Sequence, residues 1–166
     1  VCAVCKKPCH KAICDDCCRN ITHITPPICG VCGSPGHENI CLECSGSFVP
    51  FKRAVSALRY ECVAKEAIHA FKFGGKKDLA SFFGQILYRF LLSSDMDIKD
   101  VSAIVPVPLS PQRRKERGFN QSEEVAAELS KLISITIWPD LLIKIKDTKP
   151  QFKLGRADRL VNEIGA

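Results

Sequence analysis

No stretch of the 166 residues approaches the ~18–20 consecutive apolar residues of a membrane-spanning helix. No basic segment followed by an apolar run opens the chain, so no secretory leader is visible. A strong charge of one sign is lacking too: 24 Lys+Arg stand against 18 Asp+Glu, a net +6. Disorder is not the default reading, since 46% of residues are hydrophobic and 25% charged. The length suits one ordinary domain, or a small and a medium one.

Cysteine is nearly absent from residues 45–166, which hold only Cys62, while ten of the 11 cysteines fall in the first 44 residues. That contrast predicts a domain boundary, with one domain over residues 1–46 and another over residues 51–166. Ser45-Gly46-Ser47 through Pro50 reads as the linker.

Four Cys-x-x-Cys pairs stand in the first segment: Cys2/Cys5, Cys14/Cys17, Cys29/Cys32 and Cys41/Cys44. Eight residues separate the first two pairs and eight the last two, so the pattern is an internal repeat. A two-residue gap lets one tight turn present both sulfurs to a single ion, and two turns supply the tetrahedral thiolates of a closed structural zinc site. A disulfide framework would need an oxidising compartment, to which nothing points. A redox Cys-x-x-Cys needs a βαβ unit rather than four pairs in a loop-rich stretch. The expectation is two structural Zn²⁺ sites, forming a double zinc ribbon in a cytoplasmic protein. Sequential ligation would group Cys2, Cys5, Cys14 and Cys17, then Cys29, Cys32, Cys41 and Cys44. A cross-braced alternative swaps the second and third pairs. The Ile24-Thr25-Pro26-Pro27 linker, and halves that each close on their own, favour the sequential version. Cys9 and Cys18 are then spare, although Cys18 adjoins Cys17 and could replace it. His10, His23 and His37 read as exposed polar residues.

The first 44 residues hold four basic and four acidic side chains. Eight thiolates and two zinc ions bring the loaded module to about −4, the wrong sign for gripping a phosphate backbone. So short a segment buries little, and metal must supply its folding energy.

The second segment alternates between strand-like and helical patterns. Residues 54–60 have strand-like content. Val63, Ala67, Ala70 and Phe71 recur at helical spacing, with Gly74-Gly75 as the stop and Asp78 placed to cap the next helix. Leu79, Phe82, Phe83, Ile86, Leu87, Phe90 and Leu91 make an apolar stripe that reads as core. Residues 103–108 form a short apolar strand ended by prolines, and residues 141–145 another candidate. Between them runs a basic loop, Arg113 to Arg117, then Gly118-Phe119-Asn120-Gln121. Asn120 with Glu123 predicts a helix start near Gln121. Strands alternating with helices predict an α/β fold with a parallel, helix-covered sheet. A basic loop between a strand and a helix N-terminus suits a phosphate or pyrophosphate. A plain solvated charge run explains the same residues.

The paired Cys-x-x-Cys module is followed by Ala67-Ile68-His69-Ala70-Phe71-Lys72-Phe73. Val105-Pro106-Val107-Pro108-Leu109, Arg113 and Arg117-Gly118-Phe119-Asn120-Gln121 come next, and Thr148, Gln151, Arg156, Arg159 and Asn162 further on. This series resembles the ComF family of competence-associated, phosphoribosyltransferase-like proteins over nearly the whole chain. The resemblance implies a type I phosphoribosyltransferase-like fold behind a double zinc ribbon, and a role in uptake of transforming DNA. It implies that residues 109–120 face the pyrophosphate of a phosphoribosyl ligand, with Mg²⁺ if the full-length protein is active. Arg113, Arg117, Gly118, Asn120 and Gln121 are the candidate contacts, with Lys72 and Arg159 as weaker ones. No catalytic residue is assigned.

One departure stands out: the family's acidic pair and Thr-Thr-Gly loop, which holds the ribose 5-phosphate, has no counterpart before Ala166. With Val1 in place of a starting Met, this predicts a fragment whose incomplete sheet has an unpaired edge, inactive alone. The competing expectation is a non-enzymatic scaffold of the uptake machinery, touching single-stranded DNA or a helicase. Residues 45–166 carry 20 basic and 14 acidic side chains, a modest excess for that role. A zinc ribbon joined to an unrelated α/β domain is the third possibility.

Overall fold

The computed structural model describes residues 1–149, 151, 154–162, 164 and 165, with the side chains of residues 156 and 160 outside the description. The chain divides into two compact units, Val1–His69 and Ala70–Ala166. No helix among the described residues is long and apolar enough to cross a membrane.

The first unit contains two copies of one backbone design, offset by 27 residues. Cys2 N–H donates to the Lys7 carbonyl (2.9 Å), and Cys29 N–H to that of Ser34 (2.8 Å). Lys6 N–H returns to Cys2 (3.1 Å) and Gly33 N–H to Cys29 (3.0 Å). Both turns need a left-handed residue, Lys6 at φ 62° and Gly33 at φ 70°. A short helix follows in each copy, α1 (Asp15–Arg19) and α2 (Leu42–Ser45), entered from Cys14 and Cys41 in near-identical extended conformations.

The unit runs well past Pro50 because residues 54–59 lie against the repeats. Ala54 N–H donates to Val31 (2.7 Å), Ile24 N–H to Ala57 (3.1 Å) and Arg59 N–H to Thr22 (2.9 Å), around an antiparallel bridge between His23 and Leu58. The strand-like content of residues 54–60 is thus spent on the cysteine module. The division between units falls inside α3 (Cys62–Phe73), which ends before Gly74 as its sequence predicts.

The second unit is helical. Helix α4 (Leu79–Ser93) packs on α6 (Gln121–Ile133), and Gly84 permits the approach: a Cβ there would stand 2.8 Å from the Glu128 Cβ. Leu79 is the buried end of the predicted stripe. Phe71 and Phe119 meet with ring centroids 5.5 Å apart, and Phe71 and Phe83 at 5.6 Å. Asp78 occupies the N-cap position of α4 without a side-chain cap bond, whereas Asn120 caps α6 by accepting from Ser122 N–H. Two further helices are α5 (Pro111–Arg117) and α7 (Arg156–Asn162).

Among the described residues the expected parallel sheet is not formed. Among the described residues, residues 103–108 contribute only a parallel bridge, between Ile104 and Ile137. The physical reason lies in the run itself. Pro106 and Pro108 have no N–H to donate. The groups of Val107 between them are taken by side chains: its N–H by Ser122 Oγ (3.1 Å) and its carbonyl by Asn120 Nδ2 (3.1 Å). Residues 141–145 form no strand either, and Leu141, Leu142, Ile143 and Ile145 are exposed.

Gly33 offers a sharp test of the packing in the first unit. A Cβ at this position would lie 2.8 Å from the Ala54 carbonyl oxygen, which is backbone and cannot swing away. Gly36, at φ 85°, faces open space. Gly33→Ala should cost about 2–3 kcal/mol and Gly36→Ala about 1 kcal/mol, read by urea unfolding of metal-loaded protein. Equal costs would contradict the docking of residues 54–55 on the second turn.

Candidate metal centres and basic pocket

The structure gathers Cys2, Cys5, Cys14 and Cys17 into one cluster and Cys29, Cys32, Cys41 and Cys44 into another, each with all sulfurs within 4.8 Å of one another. The grouping is the sequential one. None of the 11 cysteines is in a disulfide. A tetrahedron with metal–sulfur bonds of about 2.3 Å has edges of about 3.8 Å. Cys5 and Cys14 Sγ are 3.6 Å apart, and Cys32 and Cys41 Sγ 3.7 Å apart.

The electrostatics fit a cation at each centre. Burial pushes the Cys2 thiol up, but the N–H groups of Cys14, Cys5 and Val4 more than offset this and bring it down to about 6. The N–H groups of Cys32 and Cys41 bring Cys29 down to about 6 in the same way. The bonds from Cys14 N–H to Cys2 Sγ (3.4 Å) and from Cys41 N–H to Cys29 Sγ (3.3 Å) are the repeated feature. The fourth cysteine of each set goes the other way. Burial, then the neighbouring sulfurs, push Cys17 and Cys44 up to about 12. Four thiolates cannot ionise so close together without a positive ion between them, and a thiophilic divalent metal of tetrahedral preference resolves that conflict. Cys9 and Cys18 stay outside: their thiols face the carbonyls of Lys11 (3.0 Å) and Ile13 (3.8 Å).

In the second unit the run Arg113 to Arg117 is helix rather than loop. Ser110 caps α5 by accepting from Arg113 N–H, Pro111 starts it, and Gly118 ends it at φ 78°. Arg113 and Arg117, four residues apart, therefore share one face. They line a cavity of 640 Å³ with Lys72, Phe73, Asp147 and Thr148 among its other walls.

Both guanidinium groups are held in place. Arg113 donates to the Thr148 carbonyl (3.2 Å). Arg117 donates to Gln121 Oε1 (2.9 Å) and lies 5.1 Å over the Phe73 ring centroid. Burial, then Arg117, lowers the Lys72 pKa; burial, then Arg113, lowers that of Arg117 against the opposing pull of Glu116. Such crowded cations gain from an anion in the cavity.

The other candidate contacts sit elsewhere. Asn120 and Gln121 are buried, one as the α6 cap and the other beneath Arg117, and Gly118 is the α5 stop. Arg159 donates from Nε to the carbonyls of Gln151 and Leu154, both at 3.0 Å, and does not line the cavity. Asp147 and Glu116 also line the cavity, and no sequence pattern singles them out. Neither lies in an apolar pattern, and Asp147 reaches the cavity only through tertiary folding.

No protein-family model, no curated protein and no solved structure matches this chain.

Metal removal tests the clusters. Full-length protein should release two divalent ions to a strong chelator, and the first unit should then unfold. Cys29→Ser should abolish one ion's binding, while Cys9→Ser should leave two. A chelated protein that kept the amide protection of residues 1–45 would refute a structural role for metal.

Proposed function

We propose that this chain is a ComF-like cytoplasmic protein with two structural Zn²⁺ ribbons ahead of a unit that binds a phosphoribosyl ligand, acting in DNA uptake during natural competence. The observation that carries the ligand half is the convergence of Lys72, Arg113 and Arg117 on one cavity. The resembling motifs supply the same three residues, and the anchoring of both arginines prepays part of the cost of ordering them around an anion. The pyrophosphate end of the ligand would meet the arginine forks. The carboxylates of Glu116 and Asp147 on the cavity wall suit ribose hydroxyls or the Mg²⁺ that accompanies a pyrophosphate. The sulfur-only donor set with tetrahedral spacing supports Zn²⁺ at the two clusters.

A second reading has its own observation. The exposed Phe73 ring beside Lys72 and Arg117 is a platform on which a base of single-stranded DNA could stack. In that case the protein is a non-enzymatic scaffold that meets DNA and a helicase of the uptake machinery.

Calorimetry on zinc-loaded protein separates the two. Phosphoribosyl pyrophosphate with Mg²⁺ should bind saturably. Arg113→Ala and Arg117→Ala should each weaken binding by about ten- to a hundredfold. No heat at millimolar ligand, with salt-sensitive binding of an oligothymidylate instead, would transfer the site to the second reading.

A further inference from the structure

The cations of the second unit fall into two groups by the partners they keep. Arg114 pairs with the Glu123 carboxylate (3.3 Å) and Lys77 with that of Glu124 (3.5 Å). Lys72, Arg113 and Arg117 line the cavity, and among the described residues none of them is in an ion pair. A carboxylate is at hand. Glu116 stands on the same helix as both arginines and lines the same cavity, but its Oε1 accepts from the side-chain amide of Gln112 (3.0 Å). Neutral oxygens hold the two arginines instead, the Thr148 carbonyl for Arg113 (3.2 Å) and Gln121 Oε1 for Arg117 (2.9 Å).

The kind of acceptor matters. A guanidinium only donates, and a carboxylate is its strongest partner. A carboxylate would also cancel the charge that an incoming anion needs. An amide oxygen fixes the fork and leaves that charge whole. Gln121 is placed to do this. It is 7% exposed and opens α6 directly after the Asn120 cap. Its Nε2 faces the Phe119 carbonyl (3.5 Å), which leaves Oε1 for Arg117. The Phe73 ring against the same guanidinium is a second neutral contact. Gln121 does not itself line the cavity. We infer that Gln121 is a positioning residue: it holds the Arg117 guanidinium at the cavity without neutralising it, and so sets the affinity for an anion that it does not touch. This rests on the reading of the cavity as an anion site. It moves Gln121 from the direct contact that the sequence predicts to a tether acting through Arg117.

Two readouts on metal-loaded, full-length protein test this: calorimetry with inorganic pyrophosphate, and side-chain NMR of ¹⁵N-labelled arginine, in which a restrained guanidinium gives separate, sharp Nη signals. Gln121→Leu should merge the Arg117 signals and weaken pyrophosphate by roughly tenfold. Gln121→Glu should keep those signals separate and still weaken pyrophosphate by roughly tenfold or more, because the tether now carries the opposite charge. A residue needed only for packing would not give restraint and lost affinity together. Gln121→Asn keeps an amide too short to reach Arg117 and should behave as Gln121→Leu, so it decides the matter if the leucine variant does not fold. Arg114→Ala removes a cation that is already paired and should change affinity by no more than about twofold. Native affinity in Gln121→Glu, or separate Arg117 signals in both Gln121→Leu and Gln121→Asn, would overturn the inference and leave the anion site standing. Native protein that binds no pyrophosphate at millimolar concentration would overturn the anion site itself, and the inference with it.

Discussion

Four sulfurs held within 4.8 Å of one another make the constraint on which the first unit depends. Its buried apolar positions are ligand cysteines, two isoleucines and a handful of alanines, with no large aromatic side chain among them. Hydrophobic burial on that scale does not hold so long a segment of turns and one-turn helices in place. The backbone N–H groups aimed at Cys2 and Cys29 favour thiolate, while Cys17 and Cys44 resist it in the absence of positive charge. Fold and ion are therefore coupled: the turns assemble the sulfurs, and the ion relieves the repulsion that assembly creates.

Duplication explains much of the remaining detail. Both copies need a left-handed residue in the turn, and the choice differs. Gly33 leaves room for the Ala54 carbonyl, whereas Lys6 carries a side chain that returns to the Ala3 carbonyl at 2.7 Å. The first copy instead receives residues 57–59 at its far end. One passing segment thus covers different faces of two similar modules, leaving the second copy's apolar side chains in solvent. In the second unit, Ser110 and Gly118 play a comparable organising part. They start and stop α5 so that Arg113 and Arg117 fall on one face above Lys72.

The metal clusters were legible in the sequence because ligand spacing is a local property: each Cys-x-x-Cys turn is complete within four residues. Helices α3, α4 and α6 were legible from their apolar spacing, and the Asn120 cap from its residue type. The sheet is not legible at two places, for one reason. Apolar, β-branched runs such as residues 103–108 and 141–145 show suitability for a strand, but not whether a partner strand is present. Side chains of Asn120 and Ser122 claimed the groups of Val107 that a ladder would have used, a competition invisible to periodicity. The basic run reads as a loop because its charge hides a regular helix, although Ser110-Pro111 and Gly118 are the start and stop signals of one. Asp147 entered the cavity unannounced, since only tertiary folding brings it to α5.

X-ray absorption at the zinc edge of the purified, metal-loaded chain addresses the coupled clusters most directly. Two zinc ions per chain should each be surrounded by four sulfurs at about 2.3 Å, with no nitrogen or oxygen shell. A mixed sulfur–nitrogen shell, or a chain that holds no metal and keeps its cysteines as disulfides, would contradict the two-cluster account.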